Sequence, residues 1–200
     1  MRTALIFVLL ASALPSATLF AQAPASLASV FDGQITTIER EVLPLAQKMP
    51  ADRYNFAPAT GTPPAGTFDG VRTFGQQVRH IATVIYMASS SILNGEKTPV
   101  SIDGPNENGP ANMTSKDESI AYLQGAIAFA HKAMRSITAQ NALQPVPPPF
   151  AQPTRADAAA FIGLHTYDHY GQMVVYARLN GVTPGGGPPP AAPKGKAKGK

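Results

Sequence analysis

Four stretches of this chain place an apolar residue at every third or fourth position over several turns, and the segments between them are dense in proline and glycine. Wound as α-helix, each stretch gathers its apolar residues on one face, and such a face is stable only when packed against another. The first runs from about Leu27 to Lys48, with Val30, Phe31, Ile35, Ile38, Val42 and Leu45 in register; Pro44 should kink or shorten its last turn. The second spans about Asp69 to Leu93, carries Phe74, Val78, Ile81, Ile85, Ala88 and Ile92, and stops at Asn94-Gly95. The third begins at a capping box, Ser115 to Glu118, and carries Ile120, Leu123, Ile127, Ala130, Met134 and Ile137. The fourth opens at Thr154 with Asp157 at its third position and ends at Asn180-Gly181; its expected inner stripe is Phe161, Leu164, Asp168, Gln172, Val175 and Leu179. No stretch alternates as a strand does. The fold class is therefore all-α, a four-helix bundle, with loops long enough for a crossover connection. The connection from Ala51 to Phe68 is too long for a structureless loop in a compact domain, so it is expected to pack on the bundle or to border a site.

Both ends fall outside that pattern. Met1-Arg2, the apolar run Ala4 to Leu14 and the small-x-small sequence Ala21-Gln22-Ala23 read as a signal peptide over residues 1–23, with cleavage after Ala21, Ala23 or Ala25. The apolar run is short and Pro15 interrupts it, so no membrane span is expected in the mature chain. Residues 24–183 form the expected bundle domain. Residues 184–200, rich in Gly and Pro before a lysine repeat, bury no apolar surface and should be disordered. The expected destination is the periplasm or exterior of a bacterium.

Charge and cysteine content exclude several classes. Of 16 Lys and Arg, Arg2 lies in the leader and Lys194, Lys196, Lys198 and Lys200 in the tail, which leaves 11 basic against 12 acidic residues, a net of −1 in the body. A nucleic-acid partner is not expected of such a surface. The chain has no cysteine, so disulfides, thiolate ligands and a cysteine nucleophile are all absent.

What remains is histidine chemistry. His165 and His169 are four apart on the fourth helix, so their Cβ atoms lie roughly 5 to 6 Å apart on one face. Two imidazoles so placed can grip one metal ion, but a single helix cannot close the site. The chain holds two other histidines. His80 lies at the border of the second helix's apolar stripe, about 100° from its centre, whereas His131 stands beside Lys132 just past the third stripe, where residues face solvent. Position favours His80 as the third donor. Hydrogen-bonded helix histidines without metal are the alternative. Asp168 and Gln172 could orient a ligand imidazole or make a plain interhelix hydrogen bond. Gly171, unfavourable inside a helix, suggests close packing at that point, and Tyr86, Tyr167 and Tyr170 could bring a phenol near the site or simply pack. Other metal and hydrolase classes lack their residues: Thr166 follows His165 where a zincin has glutamate, there is no Glu-x-x-His pair, no Gly-x-Ser-x-Gly elbow and no glycine-rich phosphate loop.

These residues resemble a known family. His80-Ile81-Ala82 with Tyr86 on the second helix, and His165, His169, Gly171 and Gln172 on the fourth, are similar to the DinB-like superfamily. So are the segment from Met49 to Pro58 and the ending from Leu179 to Pro184, so that the resemblance covers roughly Leu27 to Pro184. It implies a four-helix bundle holding a divalent metal, nickel or zinc, on His80, His165 and His169, in a family that commonly forms homodimers. Its better understood members include thiol-dependent transferases and an isomerase. The functional expectation is an exported metal-binding protein acting as a metal-dependent hydrolase or nucleophile transferase on a small molecule. The alternative is a non-catalytic metal- or ligand-binding scaffold.

Overall fold

The computed structural model describes residues 25–59, 67–147 and 153–185. The expected leader and all but the first residues of the expected tail lie outside them. Four α-helices account for most of the described chain: α1 (Leu27–Lys48), α2 (Phe74–Ile92), α3 (Lys116–Arg135) and α4 (Arg155–Leu179). Among the described residues there is no strand, only an isolated bridge between Pro145 and Thr154. No helix among them is long and apolar enough to cross a membrane.

The helix ends follow from local chemistry. Ser115 and Glu118 form the expected box at the start of α3, and the Thr154 side chain accepts from the Asp157 amide at the start of α4. α2 begins later than its hydropathy suggests, at Phe74 rather than Asp69, because Thr73 and Gln76 form a reciprocal capping box. Asn94 and Gly95 take positive φ, 59° and 82°, and close α2 as expected. α1 is not shortened by Pro44, which lies inside a helix that continues to Lys48.

α2 packs mainly against α3 and α4, and α1 against the same two, so α1 and α2 stand diagonally across the bundle. A chain that goes from one corner to the diagonal one needs a long connection. Part of it is visible: a 3₁₀ turn at Ala51–Arg53 is followed by buried Tyr54, whose hydroxyl donates to the Ala46 carbonyl, and by Phe56, edge-on to Tyr176. This part of the segment packs on the bundle, as the segment's length suggests, while residues 60–66 lie outside the described residues. Arg155, buried at the start of α4, donates to the Ile92 carbonyl at the end of α2 and to Gln144 and Asn94. A guanidinium at a helix C-terminus satisfies carbonyls that have no partner within the helix. It also pins the two helices antiparallel.

The stripes expected for α1, α2 and α3 are found inside: Ile35, Ile38, Val42 and Leu45, then Phe74, Val78, Ile81, Ile85, Ala88 and Ile92, then Leu123, Ile127, Ala130 and Met134 are buried. Val30 is exposed and Ile120 half-buried. The expected stripe of α4 is wrong. Leu164 is 73% exposed, Val175 and Leu179 are exposed, and Asp168 faces solvent. The true inner stripe is one position on, Ala158, Ala159, Ile162, Thr166, His169, Met173, Tyr176 and Ala177, a rotation of about 100°. Apolar residues occur all round α4, and two interior positions are polar, so hydropathy selects the wrong face.

This phase is testable. Ile162→Ala should lower unfolding stability by about 2–5 kcal/mol, as large-to-small changes in a packed core do. Leu164→Ala should stay within about 0.5 kcal/mol of the parent in urea unfolding. Comparable losses for the two would contradict the observed rotation.

Candidate metal centre

α2 and α4 bring three imidazoles to one point. The Nε2 atoms of His80 and His165 are 3.1 Å apart, and those of His165 and His169 are 3.2 Å apart. His131, the fourth histidine, is elsewhere, with Nδ1 2.6 Å from an Asp32 oxygen and Nε2 facing Glu39. The helical spacing of His165 and His169 and the border position of His80 thus bring together the three histidines that the sequence favours.

The partners of the other ring nitrogens set the tautomers. His80 Nδ1 lies 3.2 Å from the Glu107 carbonyl oxygen, which can only accept, so Nδ1 carries the proton and Nε2 a lone pair. For His169 the assignment begins at Asp168, whose carboxylate can only accept. Gln172 donates to it through Nε2, at 3.4 Å, and presents its Oε1 to Gln77 Nε2, at 2.8 Å. Gln77 therefore presents its Oε1 to His169 Nδ1, at 2.7 Å, and Nδ1 must donate. His169 Nε2 is left as a second lone pair. His165 Nδ1 is buried without a hydrogen-bond partner among the described residues, and its ring stacks on Phe161 at 5.3 Å.

Three nitrogens meet where at least two present lone pairs. A proton on His165 Nε2 can serve one neighbour well, whereas a cation satisfies all three. At the 2.0–2.1 Å usual for imidazole on zinc, nitrogens 3.1 to 3.2 Å apart subtend an angle of about 100°. The three residues fit a shared ion and could hold one.

Burial first, and then charge, favours the neutral rings that such binding needs. Burial pushes His80 down to about 4, and Arg72 and His169 push in the same direction, against the pull of the Glu107 carbonyl. Burial lowers His165 to about 3, with His169, His80 and Arg72 adding to it. His169 is lowered by burial first and by Arg72, and is held up in part by Asp168. Arg72 is fixed nearby by bonds from Nε to Asn108 Oδ1 and from one terminal nitrogen to the Asn106 carbonyl. Arg79 donates to the Asn108 carbonyl and to Ser119. The turn so clamped is strained, since Asn106 and Glu107 have φ of 55° and 57° without being glycine.

Several sequence expectations are corrected or completed here. Gln172 does reach the site, but as the second link of a chain that begins at Asp168. Gln77, which touches His169 directly, was not singled out, although its place three residues before His80 puts both on one face. Glu107 acts through its main chain, which no side-chain pattern reveals. Gly171 is exposed and a Cβ there would meet nothing within 4 Å, so close packing does not explain it. Tyr86 is not at the histidines; it packs against Tyr122 and Phe129 on the α3 side. Tyr167 and Tyr170 pack edge to face, and burial first, then Glu41, raises both phenols.

The family model of the DinB superfamily matches residues 34–173, a span that contains all three histidines and Gln77. Among curated proteins, none matches the chain.

The lowered histidines predict a pH effect on the metal-free protein. In the unfolded chain histidines gain protons near 6.5, while His80 and His165 in the folded chain stay neutral to about 4 and about 3. Between those values the unfolded state binds more protons, so stability falls as pH falls. The urea midpoint should drop between about pH 7 and about pH 5, above the carboxylate range, and His165→Ala should drop less. A midpoint that does not move would mean that the folded chain accepts the protons.

The chain belongs to the DinB superfamily, whose model covers more than half of it.

Proposed function

We propose that this DinB-superfamily chain is an exported, metal-dependent enzyme of hydrolytic or nucleophile-transferring type, with His80, His165 and His169 as ligands of one divalent ion, nickel or zinc. The observation that carries the reading is the meeting of three Nε2 atoms within 3.2 Å of their neighbours, two of them on rings whose Nδ1 is already tied to an oxygen. Three neutral imidazoles leave such an ion its full charge and open positions, which suits it to act as a Lewis acid and to acidify a water or thiol that reaches it.

The remaining work falls to the chain. Gln77 and the Glu107 carbonyl hold two rings in the tautomer that leaves Nε2 free, and groups of this kind orient a ligand and raise its basicity. Phe161 covers one face of His165. Arg72 adds a fixed positive charge beside the three rings, which favours a reactant that is anionic or becomes so.

A second reading, binding without turnover, draws on one contact. The Glu107 carboxylate stands 3.8 Å from His80 Nδ1, on the side of the ring away from the converging nitrogens, where it cannot serve as a base toward them. In that reading the centre holds an ion or small ligand as a scaffold.

Metal analysis of the chain purified without an affinity tag should find about one ion per chain in the parent and none retained by His165→Ala. Gln77→Ala should keep the fold and weaken metal affinity about 10- to 100-fold, as loss of a partner to a ligating imidazole does. A parent that binds no ion, or a His165→Ala variant that binds it equally well, would sink the assignment. Metal binding without turnover of esters, amides or thiol-acceptor pairs would favour the scaffold.

A further inference from the structure

A cavity of about 780 Å³ lies away from the histidines, between α2, α3 and the loop over residues 95–113. Its walls are largely apolar and include Tyr122, Phe129, Val100 and Met113. That volume lies within the range of pockets that enclose a small organic molecule. The wall holds one unusual polar group. Tyr86 is 99% buried, its ring packs against Tyr122 and Phe129, and its hydroxyl crosses beneath α3 at Gly125, where a Cβ would overlap the hydroxyl oxygen. Gly125 and Tyr86 both line the cavity, so glycine at this one position of α3 lets the phenol reach it.

That hydroxyl lies at the cavity wall beside Gly125, whereas the neighbouring Tyr122 hydroxyl is bonded to Thr83. A phenol O–H at the wall of a largely apolar cavity is the kind of single placed polar group that fixes the orientation of a ligand. Burial, and next the adjacent Tyr122, push Tyr86 up to about 12, so it offers a proton at neutral pH. The charged groups at the rim are already engaged: Lys132 pairs with Glu96, and Glu118 accepts from Ser115 and Thr114. Nothing in the wall calls for a charged ligand.

We propose that this cavity is a second ligand site, for an uncharged aromatic or alicyclic molecule bearing a carbonyl-type acceptor that receives a hydrogen bond from the Tyr86 hydroxyl.

The test uses the full untagged chain and prodan, a neutral aromatic ketone whose emission moves to shorter wavelength in apolar surroundings. Titration should saturate at one probe per chain, with or without a metal chelator. Tyr86→Phe keeps the apolar wall and removes only the hydroxyl, and should weaken binding about fivefold, the scale of one neutral hydrogen bond. Ala128→Trp, at an exposed position of the α3 wall, should fill the space and abolish the emission shift while its thermal unfolding matches the parent. Binding that never saturates, that survives Ala128→Trp, or that a chelator removes would overturn the site. Equal affinity in Tyr86→Phe would overturn the assigned ligand chemistry. Loss of binding as the chain self-associates would assign the cavity to a second copy.

Discussion

Imidazoles that meet in the interior of a bundle depend on what holds their far nitrogens. Each ring has one donor and one acceptor when neutral, and in a poorly hydrated site an unmatched group of either kind is penalised. In this protein two of the three rings give their Nδ1 proton to an oxygen, and their Nε2 lone pairs are thereby turned toward a common point. The rest of the site follows from that requirement. The carboxylate of Asp168 at the surface sets the direction of two amides in turn, and the second amide sets the tautomer of His169. A charge that water can reach therefore fixes the orientation of a group that water cannot.

The fold supplies the rigidity this needs. His80 and Gln77 lie on α2, His165, His169 and Gln172 on α4, so the network exists only while the two helices keep their register. Arg155 fixes one end of that pair by capping α2 with the first residue of α4. The hydrogen bond between Gln77 and Gln172 ties the other end. Between these two ties lie the three histidines and, toward Arg155, small or apolar residues, with Ala158, Ala159 and Ile162 on α4 and Ile81, Ile85 and Ala88 on α2 buried in the same core. Small residues allow close approach of the helices, and the polar ties at the two ends add directional contacts to that packing.

How far the sequence reveals this differs from helix to helix. α1 and α3 carry stripes that are apolar at nearly every inward position, and α2 keeps an unbroken apolar stripe although Gln77, His80, Thr83, Ser89 and Ser91 are buried beside it, so periodicity finds these helices and their faces. α4 does not: Thr166 and His169 occupy interior positions while Leu164, Val175 and Leu179 lie outside. On α4 polar residues take interior positions that apolar residues would otherwise fill, and the hydropathy signal there points to the wrong face. The histidines were legible all the same, because a spacing of four residues brings two imidazoles together whatever the phase of the helix. Gln77 was within reach of the same logic, applied from His80 backwards by three. The Glu107 contact was not, since it is made by a carbonyl that every residue possesses. The Tyr86 hydroxyl was invisible for another reason, because its path depends on a glycine of a different helix.

The use of a carbonyl at His80 has its own logic. A carboxylate in that place would hold the same proton, yet it would also stabilise the imidazolium and invite protonation of the ring. The Glu107 side chain is close enough to play that part, but at 3.8 Å it stands beyond hydrogen-bond length, and the main-chain oxygen at 3.2 Å makes the contact instead. A carbonyl carries no net charge and does not titrate, so it fixes the tautomer with far less bias toward the charged ring. Presenting it demands two successive residues in the left-handed region, a conformation that Asn106 and Glu107 adopt at some energetic cost. Arg72 and Arg79 offset that cost by binding the turn at the Asn106 carbonyl and at Asn108, and Arg72 further disfavours a proton on any of the three rings. The strain in the loop thus serves to fix one tautomer, while the low basicity of the histidines comes first from burial, to which the Arg72 that clamps the turn adds.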